Sequence, residues 1–85
     1  MKEINFYVKD SLGLHMRPAA AFAGIAKRAK SSIFIEKKGG EPVNAQMILM
    51  VIRMGIKQAE DFMIRVEGED EDEISQEIAA LLGEL

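Results

Sequence analysis

The 85-residue chain contains no cysteine and only one histidine. The first absence excludes a disulfide framework and any thiolate metal site, and the second leaves little with which to build a zinc site. No stretch approaches the roughly 20 apolar residues of a membrane span, and the opening Met-Lys-Glu-Ile-Asn lacks the apolar core of a secretory signal. Neither membrane insertion nor export is expected, so a cytoplasmic location is the default. Positive charge is not in excess either: the formal net charge is −3, against a general nucleic-acid binder, which needs a basic surface. The chain shows no internal repeat, linker or low-complexity segment.

What is present fits a folded domain. Apolar residues make up 48% and charged residues 29%, and 85 residues support one core, so residues 1–85 are expected to form one domain. The charges are grouped. Lys27, Arg28 and Lys30 precede Lys37 and Lys38, whereas Glu67, Glu69, Asp70, Glu71, Asp72 and Glu73 crowd one short stretch. Cations at one helix end and anions at the start of another explain both groups, and the basic group can in addition steer an acidic partner.

Residues 3–9 alternate, with Ile4, Phe6 and Val8 on one face, as in a half-buried strand. Asp10 to Gly13 reads as a turn. Residues 17–30 are alanine-rich, and Ala19, Phe22, Ile25, Ala26 and Ala29 recur at helical spacing. Ile33 to Glu36 is a second strand, and a turn over Lys38 to Glu41 follows. Pro42 to Asn44 is a short third strand that Pro42 confines to an edge. Ala45 to Met54 is a short helix. Residues 60–67 form a fourth strand with Phe62, Ile64 and Val66 inward. Asp70 then caps a last helix whose stripe is Ile74, Ile78, Leu81 and Leu82, with Glu73 completing a capping box. The order βαββαβα, with one apolar face per strand, predicts an α+β open-faced sandwich: a four-stranded antiparallel sheet with three helices on one face.

His15 lies in Gly13-Leu14-His15-Met16-Arg17-Pro18-Ala19-Ala20, where the first strand gives way to the first helix. The N–H groups at a helix start favour anions, and Arg17 adds a planar fork of donors. Pro18 suits the first turn, where its missing N–H costs nothing. Imidazole is the one side chain of the segment suited to act as a nitrogen nucleophile near neutral pH. The arrangement suits carriage of a phosphoryl group.

Residues 45–54, Ala-Gln-Met-Ile-Leu-Met-Val-Ile-Arg-Met, are the second notable segment, with seven of ten large and apolar. A helix on a small sheet buries only one side. On composition alone this is a deeply packed helix with a few exposed apolar groups, or one whose outer face meets a partner. Its methionines suit variable partner surfaces.

Gly-Leu-His-x-Arg-Pro-Ala resembles the active-site segment of HPr, the histidine phosphocarrier family of the bacterial phosphoenolpyruvate–sugar phosphotransferase system. The likeness extends over nearly the whole chain, including Glu36–Asn44 and Glu67–Ile74. It implies the same open-faced sandwich, phosphorylation of His15 at Nδ1, and stabilisation of the phosphate by Arg17. It also implies a docking surface of Met16, Ala20, Met47, Ile48, Leu49, Ile52 and Arg53 for enzyme I and enzyme IIA. The expected protein is a monomeric covalent relay, not an independent enzyme, and it needs no cofactor or metal of its own. The chain departs from the family where Met47 replaces the serine that many Gram-positive relatives phosphorylate, where Met50 replaces a glycine, and at the bulkier Met16. Control by serine phosphorylation is therefore not expected. Two other readings stand beside the relay. One is a regulatory binding module in which phosphorylated His15 is a signal. The other, a hydrolase using His15 as nucleophile, is weak for want of a nearby second acid–base group.

Overall fold

The computed structural model describes residues 1–9, 11–13 and 15–83. Asp10 of the expected turn, Leu14 of the motif, and residues 84–85 lie outside the described residues. The elements run β1 (Lys2–Tyr7), α1 (Met16–Arg28), β2 (Ser32–Lys37), β3 (Val43–Asn44), α2 (Ile48–Arg53), β4 (Asp61–Glu67) and α3 (Glu71–Gly83). The strands form one antiparallel sheet in the order β1-β4-β2-β3.

The register explains the layering. Ile4 pairs with Ile64, which pairs with Ile35, which pairs with Val43; beside this row Phe6 pairs with Phe62. Side chains alternate across a sheet, so these rows form its inner face. Phe62 is the hub, with Phe6 edge-on at 5.7 Å and Phe22 of α1 edge-on at 6.5 Å. Ala19, Phe22, Ile25 and Ala26 from α1, Val51 from α2, and Ile74, Ile78 and Leu82 from α3 close the core from the helix side. The opposite face of the sheet is mostly polar, with Arg65 between Glu3 at 3.2 Å and Glu36 at 3.9 Å and with Phe34 and Met63 among the charged residues.

Two helix starts differ from the sequence expectation. The helix expected from Ala45 begins only at Ile48. Ala45 is fully buried and its N–H bonds the Ile33 carbonyl, which extends the β3 pairing. Asn44 then turns the chain: its side-chain oxygen accepts the Gln46 N–H at 2.9 Å and its carbonyl accepts the Met47 N–H at 3.0 Å. At α3, the Asp70 carbonyl accepts the Ile74 N–H, as a cap residue should. Its carboxylate, however, reaches across to the N–H groups of Lys30 and Ser31, each at 2.8 Å, and to the Ser31 hydroxyl. The expected return from Glu73 is replaced by Glu71, whose carboxylate accepts the Gly68 N–H at 3.3 Å. Gly68 is required there, because a Cβ would lie 2.6 Å from Ser31 Cα. The junction of α1 with β2 is thus tied to the start of α3.

Candidate functional site

His15 occupies the cap position of α1 in extended backbone, with φ −96° and ψ −170°. Its N–H bonds the Gly13 carbonyl at 3.2 Å, and its carbonyl accepts the Ala19 N–H at 3.1 Å. The residue is half-buried, and its side chain makes no cap bond to the helix. The first turn contains no acidic residue. With Pro18 lacking an N–H, the leading donors of the helix are those of Met16 and Arg17, both exposed. Among the described residues, Arg17 has no ion-pair partner. An imidazole-bearing residue, two backbone donors and an arginine therefore lie within one helix start, an arrangement that suits an anion.

The turn before His15 is held by an approach that its sequence does not announce. Gly13 is buried with φ +67°, and a Cβ on it would collide with the Ile56 carbonyl oxygen and lie 2.9 Å from Lys57 Cα. Only glycine lets the loop leaving α2 pack against the turn entering α1. At the other end, the Gln46 side chain donates to the Ala26 carbonyl at 3.3 Å. The start of α2 thus lies by the end of α1, and the exit from α2 by its start. The two helices run side by side, and their outer faces form one surface.

Most of that surface is apolar. Leu49 is 65% exposed, Met16 54%, Met47 54% and Met50 42%; Leu12, in the turn before α1, is 71% exposed. Ala20 and Arg53 are exposed as well. Ile48 and Ile52 are not outermost: both are half-buried and pack against the core, which turns Leu49 and Met50 toward solvent. Met47 precedes the helix as its cap residue, without a side-chain cap bond. Leu12 and Met50 were not legible as surface members. The available signals were an apolar residue in a polar turn and the three-residue spacing of Met50 from Met47.

The basic group at the end of α1 is partly neutralised. Arg28 pairs with Glu77 at 2.5 Å and Lys30 with Glu69 at 3.0 Å. The Arg28 fork holds the Glu77 carboxyl below its usual range, and Glu77 in turn raises Arg28. Lys27 is left as the exposed cation of that group on α1.

The family model of the PTS HPr component phosphorylation site matches residues 2–84. The chain belongs to the HPr family. It is 39% identical to the phosphocarrier protein HPr of Mycoplasma pneumoniae over 82 residues, covering 96% of this chain and 93% of that one. It is 35% identical to the HPr-like protein Crh of Bacillus subtilis over 77 residues, covering 91% and 89%. Among solved structures, the histidine-containing phosphocarrier protein of a Mycoplasma superposes with a TM-score of 0.91 at 29% identity, over 98% of this chain and 93% of that one. HPr proteins are phosphocarriers of the phosphotransferase system and not independent enzymes. The four-stranded sheet with three helices is the HPr fold.

Proposed function

We propose that His15 accepts a phosphoryl group from phosphorylated enzyme I, drawn ultimately from phosphoenolpyruvate, and passes it to an enzyme IIA domain in the cytoplasm. The observation that carries this reading is His15 at the cap position of α1, with Arg17 exposed two residues on and no acid in the first turn. In the accepting step, the imidazole Nδ1 lone pair forms a bond to phosphorus. The bond from phosphorus to the donor's nitrogen breaks, and its electron pair stays with the donor. The incoming oxygens gain the Met16 and Arg17 N–H groups and the guanidinium, whose worth grows with the charge they carry. The group must leave again, so a half-buried site at a surface suits it better than an enclosed pocket. Magnesium and phosphoenolpyruvate belong to the upstream enzyme.

Docking is assigned to the outer faces of α1 and α2, carried by Met16, Ala20, Met47, Leu49 and Arg53, with Leu12 and Met50 added and Ile48 and Ile52 beneath. Neither helix contains an acidic residue, whereas Arg17, Lys27, Arg28 and Arg53 lie on them. A partner with an apolar centre and an acidic rim fits this face. The chain acts as a monomer in this reading.

The test is phosphorylation with enzyme I and phosphoenolpyruvate. The protein should gain a label that is lost in acid and survives base, and His15→Ala should gain none while melting as the parent does. Label on His15→Ala, or label lost in base, rejects the assignment. A regulatory role is the second reading, favoured by the 35% likeness to Crh. It predicts that the phosphorylated form binds a regulator and donates poorly to enzyme IIA.

A further inference from the structure

Six methionines occur in the chain, and the fold sorts them. Met16, Met47 and Met50 are exposed on the α1–α2 face, at 54%, 54% and 42%. Met54 is half-buried against the core, and Met63 is half-buried on the polar side of the sheet. Met1 is exposed too, but its amino group pairs with Glu71 of α3. Half of the methionines therefore open to solvent on the face that holds His15. Met16 follows His15 directly, and α2 is only about 9 Å long at 1.5 Å per residue, so Met47 and Met50 share one small patch.

We propose that Met16, Met47 and Met50 form an oxidation-sensitive rim that sets whether the face can dock its phosphotransfer partners. The inference rests on the docking reading above. A hydroperoxide delivers one oxygen atom to the thioether sulfur. The sulfur is oxidised to the sulfoxide, the O–O bond breaks, and the hydroperoxide is reduced to water or an alcohol. Reduction of the sulfoxide by a thiol-dependent sulfoxide reductase reverses the change. Each sulfoxide replaces a polarizable apolar tip with a strong acceptor dipole. On a free surface that dipole is hydrated and costs the fold little. At an interface it must give up its hydration: Leu49, next to Met50 in the chain, offers no donor in return, and the donors on this face, Arg17 and Arg53, are committed in the docking reading to the phosphate and the partner. His15 and Arg17 are untouched, so the chemistry is preserved while the approach to it is impaired.

The experiment treats the intact protein with hydrogen peroxide, maps sulfoxides by peptide mass spectrometry, and measures the rate of phosphorylation by enzyme I at limiting protein. Sulfoxide is expected at Met16, Met47 and Met50 before Met54 and Met63. The rate should fall about tenfold, most of it in KM, with the melting temperature held and the rate restored by sulfoxide reductases. A triple variant Met16→Leu, Met47→Leu, Met50→Leu, whatever its own rate, should show the same rate before and after peroxide. Sulfoxides on the three without a rate change, or equal sensitivity in the triple variant, overturn the proposal. Failure of the untreated protein to accept phosphate at all overturns the relay reading itself and takes this inference with it.

Discussion

At the scale of single residues, two positions separate charge from geometry. Arg17→Lys keeps the positive charge and loses the planar fork, so transfer from enzyme I should slow about tenfold or more while affinity changes little. Stopped-flow transfer beside a binding titration makes the comparison, and equal transfer rates would reject a role for the fork. Gly13→Ala tests the turn. The left-handed backbone and the collision with the Ile56 carbonyl together should cost about 2 kcal/mol or more, read from denaturant unfolding. Gly39→Ala, also at positive φ but with open space around it, carries the backbone cost alone. The excess loss in Gly13→Ala then measures the close approach. Its phosphorylation rate should fall as well, since the Gly13 carbonyl holds the His15 N–H. Equal losses in the two variants would show that the loop yields to the added methyl.

At the scale of elements, the rotation of α2 is the point on which the proposed docking turns. Leu49→Glu places a charge where the side chain is 65% exposed, so stability should stay within about 0.5 kcal/mol while affinity for enzyme I drops at least tenfold. Ile48→Glu drives a charge against the core, and its melt should fall by the equivalent of about 2 kcal/mol. Calorimetric melting and titration of the two variants distinguish the faces. A collapsed melt for Leu49→Glu would show that it packs inward, and native binding would move the docking surface elsewhere. The strands were readable because a side-chain period of two leaves a clear trace in Ile4-Asn5-Phe6 and Phe62-Met63-Ile64. The first helix was readable from alanine and its spaced Phe22 and Ile25. The start of α2 was not. Its apolar composition gives no start signal, and the residue that delays it, Asn44, acts through a turn inside what reads as the end of a strand. The placement of His15 and Arg17 at the start of α1 was legible from a local motif. The support beneath them was not, because Gly13 meets Ile56 and Asp70 meets Ser31 only after the chain has folded back, and neither pair leaves a periodic mark.

At the scale of the molecule, a set of surface carboxylates makes the fold acid-sensitive. Hydrogen bonds from the Ser31 hydroxyl and then from the Lys30 N–H hold the Asp70 carboxyl below its usual 3.8. Glu60, held chiefly by the Lys57 N–H, Glu71, by the terminal ammonium, and Glu77, by Arg28, all lie below 4.5. A carboxyl depressed in the folded state contributes stability that is fully present above its unfolded value and lost as pH falls through its folded one. The melting temperature should therefore hold from neutral pH to about 5 and decline below about 4.5. Asp70→Asn should melt lower at pH 7 and show a shallower decline between pH 5 and pH 3. A decline as steep as the parent's would remove Asp70 from the account.

The strand order has a consequence in time. β4 lies between β1 and β2, so the sheet has no centre until residues 61–67 exist. The loop against which Gly13 rests is made only shortly before them. His15 leaves the ribosome early, yet the turn that presents it is braced by residues translated much later. Pairings this distant along the chain close slowly and together rather than piecemeal. A nascent chain therefore carries His15 without its brace, and the turn that presents it becomes organised late in synthesis, in one step with the fold.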